Sequence, residues 1–323
     1  MTLPWILNKG HHSLIWSRGC RMKPAKFRYV RAETAAHAVE LLCAEEGRAK
    51  ILAGGQSLIP ALSARTTSAS VVLDIMRCPG LEVLSQTEGE VTIGAACRQF
   101  QMERSPLVQH SIPLLSEALS WVAMPQVRSR GTVVGCLAQA NAGAEVPVVS
   151  LALDAQFQIL VRGGERYQMP AQDVYAAATG TRLPAESLIV SASFRSRAVG
   201  EGWGFYEVQL RPGHFALVCC AATLLLDQNG RIGSVRIALG GLTASPYRAE
   251  RAEKALLGES VENDSMIDEA ARIASEERPW PARTDLHATG AFRSKAAVAA
   301  VARALMDARV RCSRHPGATN ERA

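Results

Sequence analysis

The chain has 323 residues, of which 48% are hydrophobic and 20% are charged, an ordinary composition for a soluble protein long enough for two domains. Its 36 Lys and Arg residues against 30 Asp and Glu residues give a net charge of +6, and no dense basic patch interleaved with aromatic residues argues for nucleic acid as a partner. The eight cysteines are scattered without a Cys-x-x-Cys pair or a ferredoxin-type run, so we expect free thiols in a reducing cytoplasm and no zinc site or iron–sulfur cluster on this chain.

The first segment, 1–21, lies before the recognisable folding pattern, which starts at Met22. Its longest apolar run is too short for the hydrophobic region of a signal peptide or for a membrane span. We therefore predict that 1–21 is either a disordered extension or a segment that is present only because an upstream start codon was assigned. We expect no membrane-spanning segment in the chain.

The first lobe, 22–78, has the predicted order strand, helix, strand, helix, strand. Thr34 is a helix N-cap candidate, because its hydroxyl can accept a hydrogen bond from a free backbone amide of the first turn. The short apolar runs at 51–52 and 71–73 are typical of buried strands. A small α/β lobe is the expected result.

A glycine-bearing stretch, Ala53-Gly54-Gly55-Gln56-Ser57-Leu58, follows the second of these strands, and Pro60 stands early in the next helix. Two adjacent glycines let the backbone approach a bulky ligand without interference from Cβ atoms. Amides at a helix N-terminus also favour an anionic phosphate. The spacing is neither that of a Walker loop nor Gly-x-Gly-x-x-Gly. On these residues alone, an ordinary strand-to-helix turn is the favoured interpretation.

The second lobe, 79–198, combines strands and helices. Alternating apolar residues at 91–95 predict a half-buried strand, and the apolar spacing at 114–122 predicts an amphipathic helix. A second alternating run with a glycine turn, at 157–164, predicts a hairpin, and 186–190 leads into the last strand of the lobe.

A second glycine-bearing loop, Gly131-Thr132-Val133-Val134-Gly135-Cys136, lies inside this lobe and is followed by Ala142-Gly143-Ala144-Glu145. It again places glycines and a hydroxyl among small residues. Two such loops could contact one diphosphate from two sides. Together they support a nucleotide-binding site more strongly than either loop does alone.

The polar, glycine-bearing stretch 195–202 predicts a domain boundary. Beyond it, three apolar runs predict strands, at 204–208, 215–226 and 232–239. Asn229-Gly230 is a strong hairpin signal between the last two of them. Three helical stretches follow, at 248–257, 266–274 and 292–308.

With both glycine loops in view, the chain resembles the FAD-binding medium subunit of the molybdenum hydroxylases, the family of carbon monoxide dehydrogenase and xanthine dehydrogenase. Two C-terminal stretches match this family as well: Phe205-Tyr206-Glu207-Val208-Gln209-Leu210-Arg211-Pro212-Gly213-His214-Phe215-Ala216, and Leu239-Gly240-Gly241-Leu242 with Pro246, Arg248 and Ala249. The resemblance implies an α+β fold. It consists of a two-lobed PCMH-type FAD-binding domain at 22–198, then an antiparallel sheet with a helical bundle at 199–310, as in the C-terminal domain of the carbon monoxide dehydrogenase flavoprotein. The remaining 311–323 would be a tail.

The resemblance also implies a set of cofactor-binding residues. Around the FAD diphosphate it places Ala53, Gly54, Gly55, Gln56, Ser57 and Leu58 of the first loop and Thr132, Val133, Val134, Gly135 and Cys136 of the second. Glu145 would contact the ribityl and adenosine part, and Leu188 and Tyr206 would lie near the isoalloxazine ring.

Two residues depart from the family pattern. Val134 stands where relatives usually have the first glycine of a pair, so a side chain would occupy space near the diphosphate. His214 replaces the usual aspartate, and we expect no redox role for it. These departures are compatible with altered flavin affinity or with a degenerate copy.

The implied function is electron transfer through FAD, from [2Fe-2S] clusters on a small partner subunit to an external acceptor. A large partner subunit would hold the molybdenum cofactor, and the complex would be a dimer of heterotrimers. We expect no catalytic base and no metal ligand on this chain. Two alternatives stay open: a stand-alone FAD-dependent oxidoreductase of the same fold, and a flavin-free scaffold subunit, which Val134 makes conceivable.

Overall fold

The structure is a computed structural model and describes residues 23–177 and 181–313. The strands in these ranges are β1 (Arg28–Arg31), β2 (Ala49–Leu52), β3 (Val71–Asp74), β4 (Leu84–Thr87), β5 (Glu90–Gly94), β6 (Gln156–Leu160), β7 (Arg166–Pro170), β8 (Leu188–Arg195), β9 (Gly202–Val208), β10 (Val218–Leu226), β11 (Ile232–Gly240) and β12 (Tyr247–Arg248). The α-helices are α1 (Ala35–Ala44), α2 (Leu58–Ser63), α3 (Gln99–Arg104), α4 (Pro106–Ser111), α5 (Pro113–Trp121), α6 (Pro125–Arg128), α7 (Val133–Gln139), α8 (Glu145–Ala152), α9 (Ala171–Val174), α10 (Glu250–Leu256), α11 (Asp264–Glu276) and α12 (Gly290–Ser313).

The first lobe is a parallel three-stranded sheet in the order β1-β3-β2, and the predicted order of its strands and helices is confirmed. Tyr29 pairs with Val72 and Ile51 pairs with Leu73, so β3 lies in the centre. The predicted cap is present, since the backbone N–H of His37 donates to Thr34 Oγ1 at 3.0 Å. This arrangement places the first glycine loop at the carboxyl end of β2, between β2 and α2.

The second lobe is built on an antiparallel five-stranded sheet in the order β4-β5-β8-β6-β7. The predicted strand at 91–95 is confirmed as β5, and the predicted hairpin is confirmed as β6 and β7, with Gly163 and Gly164 both at φ +81° in its turn. Helices α3–α8 carry the second glycine loop, which forms the entry to α7.

The C-terminal domain is an antiparallel sheet in the order β12-β11-β10-β9, covered on one face by α10, α11 and α12. The predicted hairpin at Asn229-Gly230 joins β10 and β11, and Gly230 has φ +73°. The helix α12 packs so closely on β9 that a Cβ at Gly204 would lie 2.9 Å from the carbonyl carbon of Ala304. Only glycine fits this approach.

The two domains pack through an apolar interface, because Phe205, Ala216 and Cys219 of the C-terminal domain belong to the main cluster of the second lobe, while the C-terminal sheet and its helices form a second cluster. A charged contact adds to this junction: the guanidinium of Arg311 donates to Glu117 Oε2 at 2.5 Å. The helix α12 continues to Ser313, past the predicted start of the tail at 311. Arg311 and the buried Cys312 belong to this helix and pack against the rest of the protein.

The predicted extension 1–21 lies outside the described residues, as does 314–323 of the predicted tail. Within 23–177 and 181–313, none of the helices combines the length and the apolar character that a membrane crossing requires.

Candidate functional site

The two glycine loops lie against each other. A Cβ at Gly54 would overlap the carbonyl oxygen of Arg130 and would lie 2.6 Å from the Cα of Gly131. Gly55 has φ +73°, in the left-handed region that favours glycine. The first loop therefore needs both glycines, one for the close approach and one for the turn, and the two loops pack backbone against backbone where they meet.

The second loop ends in a capped helix. Thr132 is the N-cap of α7, and its Oγ1 accepts a hydrogen bond from the backbone N–H of Gly135 at 3.0 Å. A Cβ at Gly135 would lie 2.6 Å from Thr132 Oγ1 and 3.8 Å from the Cβ of Ala53. Gly135 thus brings α7 close to the first loop without a side chain between them.

A segment that the sequence did not identify holds the second loop in place. The backbone N–H of Gln99 donates to the carbonyl of Gly131 at 2.9 Å, and the N–H of Val133 donates to the carbonyl of Cys97 at 3.2 Å. Between them, the guanidinium of Arg98 donates to the carbonyl oxygen of Arg130. These bonds run mostly between backbone groups, which leave no residue-type signal in a sequence.

A groove runs across the place where the loops meet. Its first part is a cavity of about 300 Å³, lined by the first loop, by Thr132, Gly135 and Cys136 of the second, and by Gln99, Val122, Ala123, Asn141, Ala144 and Phe215. Its second part is a cavity of about 420 Å³ on the other side of Gly135, lined among others by Lys50, Val134, Thr181, Leu183 and Leu188. Ile51, Ala53, Gly135 and Ala138 line both parts, so the two parts meet at residues that, apart from Ile51, have small side chains or none.

The structure brings most of the predicted residues to this groove, but it separates some of them. Leu188 lines the second cavity, whereas Tyr206 lines neither cavity and packs edge-on against Trp121 with ring centroids 6.3 Å apart. Val133 is fully buried in the core, and Val134 is 3% exposed, packed in the core with one edge on the second cavity. The valine that replaces a family glycine is therefore mainly a core residue.

Glu145 starts α8 behind the groove wall, next to Ala144, and is 2% exposed. Burial raises the pKa of Glu145 to about 7. A second acid, Glu207 on β9, is 4% exposed, and both of its carboxyl oxygens are buried without a hydrogen-bond partner among the described residues. Burial and, after it, the charge of Glu145 raise the pKa of Glu207 to about 9. Glu145 was a predicted site residue, whereas Glu207 was not, and its sequence signal was an acid within the apolar run of β9.

Comparison with known proteins gives a consistent result for both domains. Residues 25–194 match the family described as the FAD binding domain in molybdopterin dehydrogenase, and residues 203–308 match the CO dehydrogenase flavoprotein C-terminal domain. The chain is 34% identical to the 6-hydroxypseudooxynicotine dehydrogenase complex subunit alpha of Paenarthrobacter nicotinovorans, over 89% of this chain and 96% of that protein. The chain belongs to the family of FAD-binding medium subunits of molybdenum hydroxylases.

Other members of the medium-subunit family agree in sequence and in fold. The carbon monoxide dehydrogenase medium chain of Hydrogenophaga pseudoflava is 32% identical over 90% of this chain and all of that protein. A solved carbon monoxide dehydrogenase structure from the same organism, which lacks the Mo-pyranopterin moiety, superposes with a TM-score of 0.85 at 33% identity and covers 90% of this chain and 99% of that one. Quinoline 2-oxidoreductase from Pseudomonas putida 86 gives a TM-score of 0.82 at 32% identity, over 89% of this chain and 98% of that one.

Family membership confirms the predicted α+β architecture, with an FAD-binding domain followed by a flavoprotein C-terminal domain. Both glycine loops fall within the FAD-binding match, and α10, α11 and most of α12 fall within the C-terminal one. The chain is thus an oxidoreductase subunit of the medium-subunit family, and FAD is its own cofactor.

Proposed function

We propose that this chain is the electron-transfer subunit of a heterotrimeric molybdenum hydroxylase and that FAD binds in the groove between its two glycine loops. The observation that supports this most strongly is that the two cavities of the groove meet at a waist formed by Gly135, the small side chains of Ala53 and Ala138, and Ile51. A dinucleotide needs such a waist for its diphosphate and cavities on either side for its ring systems.

The residues around the waist fit a diphosphate chemically. The first loop, from Ala53 to Leu58, would surround the phosphates from one side, and Thr132, Gly135 and Cys136 would do so from the other, all of them lining the groove. The hydroxyl of Ser57 makes no helix-cap hydrogen bond, so it is available to donate to a phosphate oxygen. Ala144 separates Glu145 from the groove, and Trp121 packs against Tyr206. For the predicted contacts, FAD would have to reach these two side chains past Ala144 and Trp121.

The chain itself contributes position and exclusion of water. A bound flavin supplies the redox chemistry, because it accepts and releases electrons one or two at a time. The apolar walls of the groove, such as Val122, Leu183 and Leu188, keep solvent away, and the loops fix orientation through backbone groups.

The partners follow from the relatives, several of which are named as medium chains or subunits of larger dehydrogenase complexes. We infer a large subunit that holds the molybdenum cofactor and a small subunit with two [2Fe-2S] clusters that passes electrons to this chain. We further infer a dimer of such heterotrimers in the cytoplasm. The free thiols of the described cysteines support a reducing setting.

The test is FAD binding by the purified chain and by Gly54→Ala. Wild-type apoprotein should bind FAD stoichiometrically in a fluorimetric titration, whereas the alanine Cβ should force the loops apart and abolish most binding. Gly233→Ala is the matched control, because this strand residue lies far from the groove and its added Cβ would have Asp227 Cβ as nearest neighbour at 3.1 Å. Failure of the wild-type chain to bind FAD would support a scaffold instead, and substrate turnover without partners would support a stand-alone enzyme.

A further inference from the structure

A third cavity, of about 570 Å³, lies on the face of the first glycine loop that points away from the groove. Four arginines line it: Arg31 at the end of β1, Arg77 after β3, Arg98 before α3, and Arg130 in the second loop. They come from four separate parts of the sequence. Their convergence is therefore a product of the fold.

This arginine cavity carries unbalanced positive charge. Within the described ranges, none of the four guanidinium groups forms a salt bridge. The one acid in the lining, Asp74, offsets one of the four positive charges, and it accepts hydrogen bonds from Tyr29 Oη at 2.5 Å and from the backbone N–H of Met76 at 2.8 Å. Burial and the neighbouring charge of Arg130 lower the pKa of Arg98, while the charge of Asp74 acts in the opposite direction.

Part of the lining of the arginine cavity is apolar. It is formed by Leu52, Ile59, Pro60 and Met76, and Ile59 is 42% exposed. A wall of this kind suits a planar, weakly polar group such as a base, while guanidinium forks suit phosphate oxygens. The combination matches a nucleoside phosphate better than it matches inorganic phosphate alone.

The arginine cavity adjoins the groove. Ala53, Gly54, Gly55 and Gln56 line both, so the first loop lies between the two spaces. The four arginines line only the arginine cavity, so a ligand bound by their side chains would lie outside the groove.

We propose that the arginine cavity binds a second phosphorylated ligand, a nucleoside di- or triphosphate, independently of the groove. The concave shape and the apolar wall favour a small molecule over an acidic segment of a partner protein, which would need a broader and more open surface. The assignment does not depend on FAD lying in the groove, since none of the four arginines lines the groove.

The test is isothermal titration of FAD-loaded, full-length protein, freed of excess flavin, with ADP, pyrophosphate and adenosine. ADP should bind saturably and more tightly than pyrophosphate or adenosine, and its affinity should fall with rising salt. Flavin absorbance recorded in the same samples should show that FAD stays bound.

Arg31→Gln and Arg77→Gln test the site, because both residues are exposed and neither supports the glycine loops. Each should weaken ADP binding about tenfold, the loss expected for one charge-assisted contact, with FAD content unchanged. Arg166→Gln, an exposed arginine on β7, is the matched control and should leave ADP affinity unchanged.

Three outcomes would overturn the proposal. Release of FAD in proportion to bound ADP would show that ADP competes for the groove. ADP binding that is absent, or insensitive to both arginine variants, would remove the site. A loss confined to assembly with an iron–sulfur subunit would assign the arginines to an acidic protein partner instead.

Discussion

Replacing Glu207 with glutamine tests the buried pair that this residue forms with Glu145 at the junction of the two domains. Both acids are almost fully buried, and the carboxyl oxygens of Glu207 have no hydrogen-bond partner within 23–177 and 181–313. Burial, with a further contribution from Glu145, raises the pKa of Glu207 to about 9, so the native protein holds this proton at neutral pH. Glutamine keeps the shape and removes the titration.

The sign and size of the effect follow from proton linkage. The unfolded chain releases the proton near pH ~4.3, whereas the native chain keeps it up to about pH 9, so the native state binds more protons throughout this window. The stabilising contribution is fully present below the window and is lost as the pH rises through it, by ~1.4 kcal/mol per pH unit. From pH 6 to pH 8, wild-type protein should therefore lose about 2.7 kcal/mol more unfolding free energy than Glu207→Gln. Glu145 titrates in both proteins, and the pKa of the neighbouring Cys219 is raised well above its ordinary value by burial, so neither should contribute to the difference.

The measurement is equilibrium unfolding of flavin-free protein in urea at pH 6, 7 and 8, followed by circular dichroism. Glu262→Gln, at an exposed position, is the control and should follow the wild type. Parallel pH profiles for wild type and Glu207→Gln would refute the argument, because they would mean that Glu207 is ionised in the native state near neutral pH.

Three further substitutions have defined expectations. Ser57→Ala removes one hydroxyl that lines the groove, so FAD affinity should fall about tenfold to a hundredfold in a fluorimetric titration, and an unchanged affinity would exclude this contact. Arg128→Ala should lower the free energy of unfolding in urea by about 3 kcal/mol, because this buried guanidinium pairs with Glu103 at 2.8 Å and donates to two backbone carbonyls beside the groove; a loss below 1 kcal/mol would contradict this. Val134→Gly should cost about 2–4 kcal/mol of stability, measured in the same way, because it deletes a core side chain within a helix; a stability close to that of the wild type would show that the loop relaxes.

The sequence predicted those parts of the fold that depend on local patterns. The alternation at β5, the cap at Thr34 and the turn at Asn229-Gly230 are properties of a few neighbouring residues, and all three are present. The strand β4 was missed, because it is an edge strand with mainly exposed polar side chains and has no apolar alternation. Family resemblance, carried by paired motifs, was needed to join these elements into domains.

The site was predictable only where the backbone conformation or a close backbone contact requires a particular residue type, such as glycine. Gly54 and Gly135 are glycines because of close approaches that the structure shows directly, so both loops could be identified in advance. The hydrogen bonds from the Arg98 region and the meeting of four arginines join distant segments, and no local spacing encodes them. Val134 shows the opposite case, in which a departure from a motif suggested a steric conflict, but the side chain is largely accommodated by the core.

The packing of α12 has a consequence for the order in which the protein is completed during synthesis. Every strand of the C-terminal sheet precedes α12 in the chain, yet Gly202 and Gly204 on β9 are shaped to fit only that helix. While the protein is being made, the part of the apolar face at β9 therefore stays uncovered until α12 has emerged from the ribosome, and an uncovered sheet of this kind is prone to aggregation. The bond from Arg311 to Glu117 on α5 forms later still and joins a late segment to the FAD-binding domain. A nascent chain released shortly before 290 would contain both glycine loops, α10 and α11 and still lack the helix that covers β9.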